Sequence, residues 1–331
     1  MNGKSILITG GTGSFGKKFV EHLLGKYKNI KKLVIYSRDE LKQSEMAINL
    51  NEKNFKCIRY FIGDVRDYQR LSRAMNGIDI IIHAAALKQV PVAEYNPFEF
   101  VKTNVLGAQN IIEAALDNNV KQVIALSTDK AAAPINLYGA TKLCSDKLFV
   151  AADNYAGQRC KFSVVRYGNV FGSRGSVVPL FLKLSNSGIF PITSKDMTRF
   201  NISLEEGVTM VEWVIKNGIG GDIFVPKIPS YKVTDLAKAI NSKNKIEVIG
   251  IRKGEKIHEE MITVADSQTT YEINKYFVIL PDNTQKTLKK FKKKFAKMKK
   301  VKSNFNYNSE KNNEFLSVLD LKDLIKKFTL I

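Results

Sequence analysis

Tyr138 and Lys142 have side-chain types and a spacing that suit the removal of hydrogen from a carbon bearing a hydroxyl group. They close the stretch STDKAAAPINLYGATK (127–142) and lie four residues apart. On a helix they would share one face, with the ammonium near the phenol. A free tyrosine has a pKa of about 10, and a nearby positive charge lowers that pKa by favouring the phenolate. We therefore expect Tyr138 to take the hydroxyl proton while a hydride leaves the same carbon.

Asp129 and Lys130 stand side by side in the same stretch, directly after Ser127 and Thr128. An ion pair in a solvated loop is the ordinary explanation of such a dipeptide. Its position just after the end of an apolar run and shortly before Tyr138 instead favours an acid and a base beside the tyrosine. The charge of Asp129 raises the pKa of Lys130 and burial lowers it, so the sequence leaves the protonation state of Lys130 open.

The composition is that of a soluble globular protein. The chain has 331 residues, with 44% hydrophobic and 25% charged residues, which predicts one large or two unequal domains. The N-terminal MNGKSILITGG begins a strand almost at once, and no apolar run approaches the ~18 residues of a membrane helix. We therefore expect a cytoplasmic protein without a membrane segment.

Cysteines and histidines are few and scattered, which favours free thiols in a reducing compartment and no metal site. They are Cys57, Cys144, Cys160, His22, His83 and His258.

The net charge is +20, and ten lysines without an acid fall between Lys286 and Lys302. Such a run occurs on nucleic-acid or anionic-membrane surfaces, and also on the solvated face of an ordinary helix. Its aromatic residues are Phe291 and Phe295, too few for the interleaved pattern of a single-strand binder. We favour the solvated face and expect no nucleic-acid partner.

Strand and helix patterns alternate through the first two thirds of the chain, which predicts a doubly wound parallel α/β sheet. The predicted strands are 5–10, 33–37, 57–63, 79–86, 122–127 and 162–168, and the predicted helices lie near 15–25, 39–50, 67–76, 97–118 and 138–155. After Gly168 the rhythm breaks. Ser203 and Glu206 form a capping-box pattern that predicts a helix ending at Gly218, and DIFVPK predicts a strand.

These patterns predict two interleaved lobes. Residues 1–170 form a dinucleotide-binding domain that also receives about 203–228, and 171–331 form a smaller, mixed α/β lobe for the substrate. The lysine-rich segment 286–302 belongs to the second lobe in this prediction.

The motif GGTGSFG (10–16) follows the first strand and opens the first helix. Glycines at 10, 13 and 16 permit a tight turn and close backbone approach, and the helix N-terminus faces a pyrophosphate. The sequence therefore predicts a nicotinamide dinucleotide site here.

The end of the second strand distinguishes NADP from NAD. Ser37 and Arg38 occupy the position where an acid would hold the ribose 2′-hydroxyl, and Lys42 follows a turn later, which favours NADP. Asp39 leaves NAD open. Asp64, in GDV after the third strand, has two explanations that the sequence does not separate: contact with the adenine amino group, or a solvated turn.

Taken together, the motifs resemble the extended branch of the short-chain dehydrogenase/reductase superfamily, which acts on nucleotide sugars. They are most similar to the inverting UDP-N-acetylglucosamine 4,6-dehydratases, which begin pseudaminic acid synthesis in bacteria that glycosylate flagellin. The resemblance extends from residue 5 to about 262 and is carried by GGTGSFG, YSRDELKQSEMA, GDVRD, HAAALKQVPVAEYNP, TNVLGAQN, LSTDKAAAPINLYGATKL, VVRYGNVFGSRGSVVP, MTRF and GIRKGEKIHEEM.

The resemblance implies a Rossmann fold, a homo-oligomer and a set of roles. Thr128, Tyr138 and Lys142 would oxidise C4 of the sugar, Lys130 would remove the C5 proton, and Asp129 would help to protonate the departing 6-hydroxyl. The predicted cofactor residues are Gly10, Thr12, Gly13, Ser14, Phe15, Gly16, Ser37, Arg38, Asp39, Lys42, Asp64, Val65, Ala84, Thr103, Asn104, Tyr138, Lys142 and Val170. The predicted substrate residues are Lys88, Asn169, Arg174, Val177, Thr193, Arg199, Arg252 and Glu255.

Three alternatives stay open. A UDP-sugar 4-epimerase would use the same Tyr/Lys pair without needing an acid and base over C5 and C6, and a dehydratase of capsule or O-antigen synthesis would share the branch. A dinucleotide-binding regulator with a nucleic-acid-binding tail is the remaining class, although a sensor has no need of Thr128, Tyr138 and Lys142.

Overall fold

A computed structural model describes residues 1–157, 159–173 and 175–329. Its strands are β1 Ser5–Thr9, β2 Lys32–Ser37, β3 Ile58–Ile62, β4 Ile80–His83, β5 Gln122–Thr128, β6 Lys161–Tyr167, β7 Ile189–Ile192, β8 Thr198–Phe200, β9 Asp222–Pro226, β10 Ser230–Lys232, β11 Lys245–Val248, β12 Glu260–Ile262, β13 Thr270–Ile273, β14 Tyr276–Ile279, β15 Lys299–Lys300 and β16 Tyr307–Asn308. Its helices are α1 Ser14–Lys26, α2 Glu40–Asn49, α3 Tyr68–Met75, α4 Val90–Tyr95, α5 Pro97–Phe100, α6 Gly107–Asp117, α7 Leu137–Tyr155, α8 Val177–Lys183, α9 Leu204–Asn217, α10 Val233–Ile240, α11 Val264–Ser267, α12 Gln285–Lys294 and α13 Val318–Thr329, with a π-helical turn Val101–Leu106 and a 3₁₀ turn Asp129–Ala131.

The large sheet has the strand order β15-β13-β14-β9-β6-β5-β4-β1-β2-β3. From β3 to β9 all neighbours are parallel, and all five residues of β1 are buried, as expected of a strand covered on both faces. The strand order reverses between β1 and β4, the point where doubly wound sheets place their ligands. The predicted doubly wound α/β fold is confirmed.

Helix α9 packs against the sheet where the sequence predicted a helix, and its capping box of Ser203 and Glu206 is formed. Its Glu212, only 3% exposed, ties α9 to α1. One carboxylate oxygen accepts from His22 at 2.6 Å and Lys26 at 2.8 Å, and the other accepts from Tyr27 and Lys216. Both oxygens of this buried carboxylate are therefore hydrogen-bonded.

The sheet continues past β9 with three antiparallel strands, β14, β13 and β15. The β13–β14 hairpin turns through Asn274, whose φ of +48° asparagine tolerates better than most residues. Residues 270–300 thus extend the large sheet, whereas the predicted boundaries assign them to the smaller lobe. The physical reason is the outer edge of β9, whose hydrogen-bonding groups need a partner strand.

The smaller lobe has its own core, in which Phe181, Phe190, Leu236 and Leu321 are at most 1% exposed. It contains two short sheets, β7 with β11 and β8 with β10. Strand β12 pairs with β16 and directly follows Glu259.

The lysine-rich segment forms α12 and β15. Phe291 is fully buried and Phe295 stacks on Trp213 at 5.9 Å between ring centroids, while Lys290, Lys293 and Lys294 are exposed. The run therefore contains an amphipathic helix anchored by its two aromatic residues. Among the described residues, no helix combines the length and apolar character needed to span a bilayer.

Candidate active site

A cavity of about 1110 Å³ lies at the carboxyl ends of the parallel strands. Its wall is built by the loops after β1 to β6 on one side and by residues 249–259 of the smaller lobe on the other. Typical ligand pockets measure about 300–1,000 Å³, so this cavity is large enough for a dinucleotide and a second ligand together.

The glycine turn after β1 leaves no room for side chains. Gly10 has a φ of +66°, and a Cβ there would lie 2.9 Å from the Ala85 nitrogen. A Cβ on Gly16 would lie 2.5 Å from the Gly11 carbonyl oxygen. Gly13 precedes α1, and within the described chain no side chain caps that helix, so its first N–H groups remain available to a phosphate. These residues fit a dinucleotide.

The end of β2 presents Arg38 and Asp39 to the cavity. Asp39 caps α2 and accepts from the Lys42 backbone at 3.0 Å, and its second oxygen accepts from the Lys42 ammonium. The hydrogen bonds from Lys42 hold the pKa of Asp39 below its ordinary value. Arg38 is half exposed, with one contact of 3.5 Å to Asp64. The carboxylate is therefore engaged in capping, while the guanidinium remains accessible.

Asp64 follows β3 and lines the cavity. It accepts hydrogen bonds from the Arg66 backbone and side chain, each at 2.9 Å. Burial opposes ionisation, but the hydrogen bonds from Arg66 and the charges of Arg38 and Arg66 more than offset it and hold the pKa of Asp64 below its ordinary value. The carboxylate lies at the cavity wall as an anion, where either explanation offered by the sequence fits it.

The predicted helix 97–118 is interrupted by the π-helical turn, a feature common at functional sites. Thr103 in this turn lines the cavity, and its buried hydroxyl has no hydrogen-bond partner in the described part of the chain. Asn104 was predicted to contact the cofactor, but among the described residues it is not part of the cavity wall. Its amide instead bonds the Leu87 backbone twice, at 2.9 Å each, and Thr141 at 3.1 Å, so it braces the loop after β4.

Tyr138 and Lys142 lie in the first turns of α7, and both line the cavity. Burial raises the pKa of Tyr138 to about 12, although Lys130 and Thr128 act in the opposite direction. Burial also lowers the pKa of Lys142, whose ammonium donates to the Leu126 carbonyl at 2.8 Å. Without a bound oxidised nicotinamide, desolvation of the phenolate is therefore the larger effect on the Tyr138 pKa, and the lowering expected from added positive charge stays a prediction for the loaded site.

The 3₁₀ turn after β5 carries Asp129 and Lys130, and the two side chains differ in their access to the cavity. Lys130 lines the cavity, and its ammonium donates to Asp129 at 2.9 Å and to the Asn169 side chain at 3.2 Å. Asp129 is 0% exposed and lies outside the cavity wall of the described chain. It contacts Lys130 and accepts from the Thr128 hydroxyl at 3.0 Å, so a proton passing between Asp129 and a substrate would travel through one of these two groups.

Glu259 is a site residue that the sequence analysis missed. It is 2% exposed, lines the cavity and places Oε1 3.1 Å from the Lys130 nitrogen. No sequence pattern links Glu259 to Lys130, because 128 residues separate the two and the adjacent Glu260 is an equally plausible acid. The structure makes the connection, because β12 follows Glu259 and packs beside the 3₁₀ turn.

Four of the predicted substrate residues form one network. Arg252 donates to both oxygens of Glu255, at 3.0 and 3.1 Å, and Thr193 donates to Glu255 at 2.9 Å. Arg199 lies 3.8 Å from both Glu255 and Glu259 and donates to three backbone carbonyls. The network thus spans the smaller-lobe wall of the cavity.

The remaining predicted substrate residues fall into two groups. Lys88, Asn169 and Val177 line the cavity, and burial lowers the pKa of Lys88, with the charge of Lys130 adding to the effect. Arg174 lies outside the described residues. The described chain contains no cluster of three metal-binding side chains.

Known proteins are similar to this chain over most of its length. Residues 6–281 match the family model described as polysaccharide biosynthesis protein, which covers more than half of the chain. This chain belongs to that family. The UDP-N-acetylglucosamine 4,6-dehydratase (inverting) of Campylobacter jejuni is 56% identical over 98% of both chains. The resemblance stated from the motifs is confirmed.

Two further proteins are similar to this chain at lower identity. A protein named UDP-glucose 4-epimerase from Rickettsia bellii is 45% identical, over 84% of this chain and 83% of its own. The crystal structure of Pen from Bacillus thuringiensis has a TM-score of 0.89 at 36% identity and covers 100% of this chain and 99% of its own. Relatives of this chain therefore carry names for two different reactions, a dehydration and an epimerisation, and Pen shares its fold.

Proposed function

We propose that this protein is an inverting UDP-N-acetylglucosamine 4,6-dehydratase that retains its NADP through the catalytic cycle. The observation that carries the proposal is the position of Lys130, a cavity-lining amine beside Tyr138 that is held by Asp129, Asn169 and Glu259. A dehydratase needs an acid and a base in addition to the oxidising pair, whereas an epimerase does not. The 56% identical Campylobacter jejuni dehydratase supports the same assignment.

Tyr138 and Lys142 perform the first step. Tyr138 accepts the proton of the C4 hydroxyl, and the positive charge of a bound oxidised nicotinamide lowers the tyrosine pKa toward the range where this is possible. NADP, when bound, supplies the hydride acceptor at C4 and the hydride donor at C6. Lys142, fixed by the Leu126 carbonyl, keeps a positive charge on the face of α7 that carries the phenol.

Lys130 and Asp129 perform the elimination. A carbonyl at C4 acidifies the C5 hydrogen, which Lys130 removes, and the proton for the departing 6-hydroxyl comes from Asp129 through the Thr128 hydroxyl. Return of a proton to the opposite face of C5 gives the L-configured 4-keto sugar. Lys130 and Asn169 share a hydrogen bond, which orients the amine toward the cavity.

The cofactor and nucleotide assignments rest on the two ends of the cavity. NADP is favoured over NAD because Arg38 is accessible for a 2′-phosphate while Asp39 is engaged in helix capping. On the other side, Arg199 and Arg252 with Glu255 and Thr193 are proposed to hold UDP, since guanidinium groups pair well with phosphate oxygens. The same proposal includes a homo-oligomeric, cytoplasmic enzyme.

The biological role proposed with this activity is the first step of pseudaminic acid synthesis for flagellin glycosylation. It follows from the family resemblance of motifs such as LSTDKAAAPINLYGATKL. Accumulation of the keto sugar's downstream acid in cells, and its loss on deletion of this gene, would test that role separately from the reaction.

A second candidate, a UDP-sugar 4-epimerase, is favoured by the 45% identical protein from Rickettsia bellii that bears that name. The decisive experiment incubates the protein with UDP-N-acetylglucosamine and NADP in deuterated water. A product lighter by one water, with one deuterium at an inverted C5 and no net reduction of cofactor, is expected. A product of unchanged mass with inverted C4 would establish the epimerase instead.

A further inference from the structure

Two carboxylates share the ammonium of Lys130, which lines the cavity. Lys130 lies 2.9 Å from Asp129 Oδ1 and 3.1 Å from Glu259 Oε1. The two acids are 0% and 2% exposed, so the group of three carries one negative charge in excess and almost no water reaches its acids.

The second oxygen of each acid is unsatisfied. Asp129 Oδ2 and Glu259 Oε2 are buried and, within the described chain, neither has a hydrogen-bond partner. An ionised carboxylate oxygen without a donor is costly in such a place. Protonation of one of the two acids removes part of that cost, so the group is built to hold a mobile proton.

The surroundings decide which acid holds it. The charged groups facing Glu259 are Lys130 at 3.1 Å, Arg199 at 3.8 Å and Lys256, and Asp129 lies across the shared ammonium. Burial opposes ionisation of Glu259, but these cations hold the pKa of Glu259 below its ordinary value. Burial raises the pKa of Asp129, and the charge of Glu259 adds to that rise while Lys130 opposes it. Asp129 is therefore the acid that takes a proton.

Lys130 needs such an acceptor. Burial lowers the pKa of Lys130, but the two carboxylates outweigh it and hold that pKa above its ordinary value. The side chain is an ammonium at neutral pH, and an ammonium has no lone pair with which to remove a proton from carbon.

We propose that Glu259 is a positioning residue that stays ionised through turnover and directs the Lys130 proton onto Asp129. The inference deepens the proposed dehydratase function and depends on it. One N–H bond of Lys130 breaks as an O–H bond forms on Asp129 Oδ1, across the 2.9 Å contact. The neutral amine then takes the C5 proton of the 4-keto sugar, and the C5–H electron pair becomes the C5–C6 double bond.

Lys130, Asp129 and Thr128 account for every proton transferred in this elimination. As the C6–O bond breaks, the Asp129 proton passes through the Thr128 hydroxyl, 3.0 Å away, to the departing hydroxide, which leaves as water. Lys130 is again an ammonium and Asp129 again a carboxylate. Glu259 has gained and lost nothing, and its fixed charge is what makes Asp129 rather than itself the acceptor.

The substitution Glu259→Gln tests the inference with UDP-N-acetylglucosamine and NADP. Because the charge is lost and the shape kept, kcat for water loss should fall about 100-fold, with KM changed less than about threefold. Oxidation at C4 should survive, so the reduced nicotinamide signal should accumulate on mixing. Turnover at the wild-type rate would overturn the inference.

Two variants separate charge from folding. Glu260→Gln removes the neighbouring acid, which bonds Asn306 and is absent from the cavity wall of the described residues, and it should keep wild-type turnover. Glu259→Asp keeps the charge on a shorter stem and should recover at least about tenfold of the lost rate. A Glu259→Asp protein as slow as Glu259→Gln, with the same thermal midpoint as wild type, would contradict a role for the charge.

A further measurement requires no turnover. Acetic anhydride labelling of the Lys130 amine, followed by mass spectrometry across pH, should show the Glu259→Gln protein reacting at a pH lower by about one unit, since one carboxylate is gone. An unshifted labelling profile overturns the inference. A wild-type protein that shows the shift relative to the variant but removes no water from the sugar nucleotide would instead refute the proposed function.

Discussion

The two sides of the cavity are constructed by different means. The proposed cofactor side relies mainly on backbone: glycines at 10, 13 and 16, the start of α1, which no side chain of the described residues caps, and the alanines after β4. The proposed catalytic side is a set of charged side chains from the 3₁₀ turn after β5, from β8 and from the segment before β12, with Lys130 between Asp129 and Glu259. One side needs glycines where an added Cβ would collide with backbone, and the other depends on charged side chains.

The two sides should therefore be sensitive to different kinds of substitution. Added atoms are harmful on the cofactor side because backbone contacts of 2.5–2.9 Å at a Cβ cannot relax by rotating a side chain. Removed charges are harmful on the catalytic side, where each carboxylate sets the proton affinity of its neighbours. A change of size and a change of charge should therefore have opposite consequences for binding and for chemistry.

Lys130→Ala is expected to give the largest effect. Loss of the proposed general base should lower the rate of water loss by about 10³-fold, while NADP affinity changes less than about twofold, because the glycine turn and Arg38 are left unaltered. Product mass spectrometry and cofactor titration would measure the two. Lys286→Ala, an exposed lysine of α12, serves as control, and a parallel loss of cofactor binding in Lys130→Ala would remove the distinction between the two sides.

Gly16→Ala is expected to damage the opposite side. Its Cβ would lie 2.5 Å from Gly11 backbone atoms, so we expect at least about 2 kcal/mol of destabilisation and a tenfold or greater loss of NADP affinity. Gly25→Ala is the matched control, because it lies in the same helix with open space around it, and it should stabilise by about 0.5–1 kcal/mol. Urea unfolding and cofactor titration of both variants would show the contrast, and equal effects at the two glycines would contradict it.

Glu212→Gln alters a carboxylate outside the cavity, and both oxygens of that carboxylate are hydrogen-bonded. It therefore tests a charge that serves stability rather than chemistry. Lys26 and Lys216 are about half exposed, so the expected loss is about 2 kcal/mol at pH 7, without a change in turnover. Burial opposes ionisation, but hydrogen bonds from Lys216, Lys26 and Tyr27 depress the pKa of Glu212.

The depressed folded-state pKa fixes the pH dependence of this loss. The stabilisation is fully present above the unfolded value of about 4.3 and fades as the pH falls below it. Urea unfolding should show a gap between wild type and Glu212→Gln that narrows below about pH 4. As a control, Glu205→Gln breaks an exposed pair with Lys18 and should leave the free energy of unfolding nearly unchanged. A stability difference between wild type and Glu212→Gln that widens in acid would contradict the depressed pKa of Glu212.

Arg38→Ala is expected to give the smallest effect. The preference for NADP over NAD should fall about tenfold, since one accessible guanidinium is removed while the glycine turn stays intact. Fluorescence titration with both dinucleotides would measure the ratio, with Arg73→Ala, exposed in α3, as control. An unchanged ratio would refute the NADP assignment and leave the rest of the cofactor side as described.

Local patterns predicted the sheet, the glycine turn and the Tyr138–Lys142 pair, because each depends on neighbours within one turn or one strand. Glu259 lay beyond their reach, since its contact with Lys130 joins segments far apart in the chain. The bonds of Asn104 to the loop at Leu87 were also beyond reach, and its contact with the cofactor stays a prediction. The hairpin after Ser267 was also missed, because EINKYF carries only a weak turn signal.

The outermost strand of the extended sheet is β15, which consists of Lys299 and Lys300 alone. A free sheet margin can recruit a strand from another molecule and begin fibrillar stacking, and shortness together with like charge blocks that recruitment. We therefore expect these two lysines to end hydrogen-bonded growth of the sheet and to disfavour polymerisation of copies of the chain along that edge.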